Sequence, residues 1–588
     1  MDRRTLLAFV LSFIVLVGFA ALTSRLSGPR PVVLPEPTPV ATAPAESVDA
    51  TAGVAASPAA VATASVAPGS SADPGDPLRF APAAGAPLHV ATDLYELTID
   101  PLGARLTSWR SLRFKRPEGG PVELIPADAP PPGPGQGDAA VFERATLDLS
   151  GAPYLADAGP ELRIAAGDPP RSVTFTARTE GGIEVRKTYT FQPGRYDFTV
   201  DLDVAGSGPA RALVGEPVRA RFAWTAGIAS TERNRKLEDM AFRAFAMVGE
   251  EMQFKARRSL GKDAEKARAT YEGSIRFAGV QNKYFLIAGF VADGRERPVA
   301  GMAHLDGTPE RGQQTWWVER PLALRPGAAG ARLSFYLGPA QYDLLKSYKV
   351  GLEKSVDLGW KIFHPLAALT LGFMNWLYRW LPNYGLIIIL LSVLTKVAFY
   401  PLTVSSTRSM KRMQEVQPKM KALQEKFKGN QEKLSQEMMK LYKEEKINPM
   451  GGCLPMLLQM PVFVALYQVL RGDIALRQAP FVGWINDLGQ PDALFHLPFG
   501  LPFFGNEFNL LPLLMAGSTY WQVKITPSAP AGGASMAMMN KLMPVMMLVF
   551  FYSFPSGLVL YWLVNNLLTI YQTWRIHVTT PVRGGAQA

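Results

Sequence analysis

The run from Leu542 to Trp574 constrains this chain more than any other feature. A bilayer core about 30 Å thick is crossed by roughly 20 apolar residues in a helix, so this run is too long for one crossing. Pro555-Ser556-Gly557 supplies a break, and the pattern predicts a hairpin of two spans, Leu542–Phe554 and Leu558–Trp574. Three more runs precede it: Tyr384–Val404, Leu454–Leu470 and Asn509–Val523. Near the start, Asp2, Arg3 and Arg4 lead into the uncharged stretch Thr5–Thr23. Its length suits a spanning anchor better than a cleavable signal, while Ala20 and Ala21 keep cleavage open. Six crossings are expected, counting an anchor over 1–24.

Between the anchor and the core runs the patterning changes twice. Residues 25–88 are dominated by Pro, Ala, Ser, Thr and Val, too poor in large apolar side chains to offset chain ordering, which predicts a disordered spacer. From 89 to 345 apolar and polar residues alternate between Gly and Pro punctuation, as in SVTFTA (Ser172–Ala177), IEVRKTYTF (Ile183–Phe191) and RYDFTVDLDV (Arg195–Val204). Period two bounded by turn residues predicts antiparallel strands in a large β-sandwich. Further strands are expected at Leu94–Ile99, Tyr284–Phe290, Gln314–Val318 and Arg332–Leu337, with a helical or irregular piece around Arg233–Lys266. Within 346–382, Trp360, Phe363, Met374, Trp376, Tyr378 and Trp380 with few charges suit an amphipathic helix on the membrane surface or one packed on the first core helix.

Charge sets the orientation. The net charge of +11 would permit a nucleic-acid partner, but the short loop 405–450 carries many Lys and Arg, and the Arg-rich β domain is long enough to be exempt from a charge rule for loops. Cytoplasmic loops collect such residues, so both ends and this loop are expected inside, with the β domain outside. Met413, Val416, Met420, Leu423 and Phe427 recur at helical spacing, Gly429-Asn430 makes a turn, and Leu434, Met438 and Leu441 continue beyond it. This predicts a helical hairpin with basic outer faces. Arg408, Lys411, Arg412, Lys419, Lys421, Lys426 and Lys428 form a docking surface for anionic lipids, ribosome or nascent chain, or simply a solvated face. The single Cys453 rules out an intrachain disulfide and reads as a small buried hydrophobe.

No HExxH, P-loop, GxSxG or Cys/His cluster with metal spacing occurs, so neither catalysis nor a cofactor or metal is expected. The core runs also lack Asp and Glu, which disfavours a proton-coupled small-solute transporter. Lys396 stands inside the run LIIILLSVLTKVAFYPLT. A cation at mid-bilayer costs about 2.5–3.5 kcal/mol on insertion scales, so it either snorkels to headgroups or faces water or a partner. Ser392, Lys396 and Thr403 share a helical face flanked by Thr395 and Tyr400. Gln459 lies in the second core run, Ser518, Thr519 and Gln522 in the third, and Tyr561, Trp562, Asn565, Asn566, Thr569, Gln572 and Thr573 in the last. One polar stripe would be interhelical glue; several around an unpaired cation suggest a hydrated cavity. There Lys396 would attract an acidic segment by about 4 kcal/mol at 4 Å and an effective dielectric near 20, before desolvation.

Three segments carry a resemblance. YPLTVSSTRSMKRMQEVQPKM (Tyr400–Met420), QEMMKLYKEEKINPMGGCLPMLLQMPVFVALYQVL (Gln436–Leu470) and FPSGLVLYWLVNNLLTIYQ (Phe554–Gln572) resemble the YidC family of membrane protein insertases. RFAGVQNKYFLIAGF (Arg276–Phe290) is similar to its periplasmic domain in the Gram-negative type. The resemblance implies an α-helical polytopic membrane core with a large all-β periplasmic sandwich domain, in the bacterial inner membrane. It implies insertion and folding of inner-membrane proteins, alone for small clients and beside the Sec translocon and its accessory subunits for larger ones. The signal recognition particle receptor and the ribosome would meet the cytoplasmic loops. It places groove positions on Ser392, Lys396, Gln459 and Trp562, with Lys396 where the family often carries Arg; the polar stripes extend the expected groove to Thr395, Thr403, Ser518, Gln522, Tyr561, Asn566 and Thr569. A periplasmic scaffold, resting on the size of the β domain, is the remaining alternative.

Overall fold

The structure is a computed structural model. It describes residues 78–82, 85–129, 137–142, 145–207, 219–233, 238, 241–256, 269–291, 300–308, 313–321, 323–325, 328–359, 361–427, 429–445, 454–501, 504–525 and 533–579. The N-terminal anchor, most of the spacer, Lys428 and Cys453 lie outside these residues.

The period-two segments pair as their pattern requires. Ile183–Phe191 runs antiparallel to Asp197–Gly206, from Ile183 opposite Gly206 to Phe191 opposite Phe198. Its other edge pairs with Arg171–Arg178. Every second residue, from Ile183 through Val185 and Tyr189 to Phe191, is buried, so one face of the sheet makes the core. Among the described residues these strands join a fifteen-stranded sheet. A five-stranded sheet of Pro121–Glu123, Arg105–Lys115, Tyr95–Asp100, Leu88–Ala91 and Glu161–Arg163 shares the same apolar core. Trp109 of the smaller sheet, fully buried, stacks on Tyr95 at 5.4 Å and meets Tyr196 at 6.3 Å.

One expectation here is overturned. The piece around Arg233–Lys266 contains a hairpin, Arg243–Val248 paired with Glu251–Ala256. Arg243–Val248 also pairs with Ala269–Gln281. Ala244, Phe245, Ala246 and Met247 are all buried, because this strand is covered on both faces and shows no alternation. Gly249, at φ +59°, supplies the turn.

After the last strand, Ala328–Pro339, the chain becomes helical. Helix α1 is Tyr342–Ser347, and α2 is His364–Tyr378, shorter than the expected 346–382. Helix α2 buries Ala367, Leu371 and Met374 within the helical core and turns Leu369, Trp376 and Tyr378 outward. Helix α3, Tyr384–Ala398, is followed by α4, Tyr400–Glu415. The chain turns at Phe399, just ahead of Tyr400-Pro401, because Pro401 has no N–H to continue the hydrogen-bond ladder of α3 and proline suits the first turn of a new helix. Helix α5 is Gln417–Lys426 and α6 is Gln431–Glu444, capped by the Asn430 side chain. The expected hairpin therefore has three helices. Met413, Val416, Met420 and Leu441 are its buried seam.

Helices α7 (Leu454–Gly472), α8 (Leu510–Ile525), α9 (Gly533–Phe551) and α10 (Ser556–Thr579) complete the bundle. The break between α9 and α10 falls at Pro555, as the sequence requires. Among the described residues no helix is long and apolar enough to cross a membrane. Helix α3 has 15 residues, which span about 22 Å. Helix α10 has the length, at 24 residues, but Asn565, Asn566, Thr569 and Gln572 dilute its apolar character.

Candidate functional site

The polar residues singled out in the core runs meet along a seam between α3, α7, α8 and α10. On α3 the buried Ser392 hydroxyl donates to the carbonyl of Ile388 at 2.8 Å, and Thr395 donates to the carbonyl of Ser392 at 2.9 Å. One turn further, the Lys396 ammonium donates to Thr569 Oγ1 on α10 at 2.8 Å. That hydroxyl in turn donates to the carbonyl of Asn565 at 2.7 Å. Among the described residues the ammonium thus rests on a hydroxyl and not on a carboxylate.

Two asparagines extend the seam. Asn566 donates to Ser518 Oγ at 3.0 Å and to Thr519 Oγ1 at 2.8 Å, tying α10 to α8. Gln459 of α7 reaches Asn565 Oδ1 at 3.4 Å. Asn565 and Thr519 therefore carry contacts as central as the residues expected to line the site. The Tyr561 hydroxyl faces Gln459, Asn565 and Thr395. It is buried without a well-formed hydrogen bond, as are Gln522 Oε1 and Gln572 Oε1. Leaving a buried polar group unpaired costs about 1–3 kcal/mol.

Other expected members sit elsewhere. Thr403 lies on α4 beyond the turn at Phe399, bonded to the carbonyl of Phe399 at 3.0 Å, so the stripe from Ser392 to Thr403 is not one continuous helical face. Trp562 turns from the polar seam into an aromatic cluster, edge-on to Phe463 at 5.1 Å and against Phe551 at 5.1 Å. In the hairpin, Arg412, Lys419, Lys421 and Lys426 are exposed. Lys419 pairs with Glu445 at 2.6 Å. Arg408 and Lys411 are carried on α4.

Lys187 is a buried cation that its strand pattern does not announce. It occupies a core-facing position of its strand, its ammonium 2.7 Å from Asp138 Oδ2 and 2.7 Å from the carbonyl of Gly103. It lines a cavity of about 290 Å³ together with Tyr189, Phe198 and Trp224.

The molecule thus joins a two-sheet β domain to a bundle of apolar helices with one polar seam. Residues 376–582 match the family model described as 60Kd inner membrane protein, and residues 87–369 match the YidC periplasmic domain. The chain is accordingly an inner-membrane protein bearing a periplasmic domain. A membrane protein insertase YidC of Pelobacter propionicus is 34% identical over 589 residues, covering 98% of this chain and 99% of the relative. Another, of Chlorobium phaeovibrioides, is 33% identical over 506 residues, 84% of this chain and 83% of the relative. This chain belongs to the YidC family of membrane protein insertases, which are insertases and chaperones rather than known enzymes. A solved structure described as an active YidC insertase with its first transmembrane domain resolved covers 85% of this chain and 94% of its own, at 18% identity and a TM-score of 0.35.

Proposed function

We propose that the seam around Lys396 is a hydrated groove through which polar segments of nascent membrane proteins leave the cytoplasm. The observation that carries this reading is the Lys396 ammonium resting on the Thr569 hydroxyl at 2.8 Å, with no acid in any core run to neutralise it. A cation so placed attracts acidic client segments, and a membrane potential positive outside adds about 2.3 kcal/mol per charge per 100 mV for an acidic residue moving outward. The buried oxygens of Tyr561, Gln522 and Gln572, unpaired by protein, favour a site that takes polar partners.

The topology that goes with it has six crossings, both ends inside and the domain of about 89–345 outside. Helix α2, within 346–382, lies at the membrane surface, and 383–588 make the insertase core. Small clients are inserted by this chain alone, larger ones beside the Sec translocon. The basic hairpin of 405–450 receives the ribosome, the signal recognition particle receptor and anionic lipid. Photo-crosslinkers at Ser392, Gln459 and Tyr561 should capture stalled nascent membrane proteins. Lys396→Glu should lower insertion of a client with an acidic translocated tail at least tenfold, with a smaller effect on a neutral tail. Protease protection measures both, and equal losses would remove the electrostatic mechanism.

A further inference from the structure

We infer that the segment Asp473–Gln490, between α7 and α8, is a keystone that registers α3 and α10 against the periplasmic domain, with Arg477 as its positioning residue. The segment grips three partners. Toward the β domain, the fully buried Arg477 donates from Nε to Glu232 Oε1 at 2.6 Å and from Nη2 to the carbonyl of Thr231 at 3.3 Å. Gln490, at the other end of the segment, donates to Glu232 Oε2 at 2.7 Å. One carboxylate thus holds both ends of the segment. Lys283 adds a contact to the carbonyl of Gly489 at 3.4 Å, and Gln478 one to the carbonyl of Lys115 at 3.0 Å.

Toward α10, the segment does the work of a helix cap. The first amides of that helix have no partner within it. Ser556 N donates to the carbonyl of Gln490 at 2.7 Å, Gly557 N to that of Leu488 at 3.0 Å, and Ser556 Oγ to that of Asp487 at 2.8 Å. Toward α3, Asn383 donates to the carbonyl of Phe481 at 3.4 Å, and the Phe481 ring lies on Gly385. A Cβ on Gly385 would sit 2.1 Å from Phe481 Cδ2, so only glycine permits this approach.

The segment therefore holds the first turns of the two helices that meet at Lys396 and Thr569. At 1.5 Å per residue, Lys396 lies about 16 Å along α3 from Gly385, and Thr569 about 20 Å along α10 from Ser556. A shift of either helix at its clamped end is carried down to that contact. A buried ion pair contributes little net stability, but it demands one geometry, because either charge left alone is strongly penalised. Those are the properties of a register pin. The coupling rests on these contacts alone; its consequence for insertion rests on the groove reading above.

The test uses the full chain in lipid nanodiscs. Arg477→Met and Glu232→Gln should each raise hydrogen exchange at the Gly557 amide tenfold or more, leaving the strand Ile183–Phe191 unchanged. The paired variant Glu232→Met/Arg477→Met should exchange no faster than either single one, since no charge is then stranded. Unchanged exchange at Gly557 in both single variants overturns the coupling. If the strand also loosens, the variant has unfolded, and Gln490→Leu, which leaves the ion pair in place, is scored by the same criterion. Client insertion by the same variants is scored separately. Faster Gly557 exchange with full insertion would keep the keystone and count against the groove.

Discussion

Two lysines in apolar surroundings, Lys396 and Lys187, show what a single residue reveals and conceals. Lys396 was legible because it interrupts an apolar run, and its partner helix was legible from the polar stripe on α10. The bond to Thr569 was not, because 173 residues separate the two. Lys187 stands in an alternating strand where a basic residue looks ordinary. Its parity with Val185 and Tyr189 was the available signal, placing it on the core face. Its pairing with Asp138 makes a sharp expectation. Asp138→Ala strands a buried ammonium and should destabilise the β domain by about 3–5 kcal/mol, read by thermal melting. Lys187→Met should cost less, because Asp138 is 23% exposed and keeps the amide of Ala223 as a donor. Equal losses would show that packing at the cavity, not charge, sets the stability there.

Elements followed the sequence where periodicity was clean. Ile183–Phe191 is a strand over its whole expected length, and the α9–α10 hairpin turns at Pro555. Legibility failed where burial removes periodicity, as in Arg243–Val248, and where a helix turns inside an apolar run, as at Phe399. In the strand neighbouring elements decide the outcome, and at Phe399 one proline inside an apolar run does. Close approach is another such case, since nothing local marks Gly385 as crowded. Gly385→Ala should destabilise the bundle by about 1–3 kcal/mol through overpacking against Phe481. Adding Phe481→Ala to it should recover part of the loss, measured by thermal unfolding in detergent. A neutral Gly385→Ala would mean that the ring moves aside freely.

Across the molecule, the joint between the β domain and the helices was invisible in sequence, since Glu232 and Arg477 lie 245 positions apart. Its electrostatics give a pH signature. Burial pushes the Lys283 ammonium down to about 8, with Glu232, Asp487 and Glu238 opposing and Arg471 adding to the shift. An exposed lysine holds its proton to about pH 10.4. Between these values the unfolded chain binds more protons than the folded one, so stability should rise with pH, by at most about 1.4 kcal/mol per unit. Below about 8 the cost of the buried charge is fully present. Melting from pH 7.5 to 10 should show this rise in the parent chain and a flatter profile in Lys283→Met; parallel profiles would place the titration elsewhere.

Because Glu232 is held from both Arg477 and Gln490, the seam between the two halves of this protein does not run where the chain passes from strands to helices. By its contacts, Asp473–Gln490 belongs as much to the outer domain as to the bundle. Grafting that domain from a relative onto these helices would require transplanting the segment with it, and a graft cut near residue 340 alone would leave two foreign surfaces facing each other.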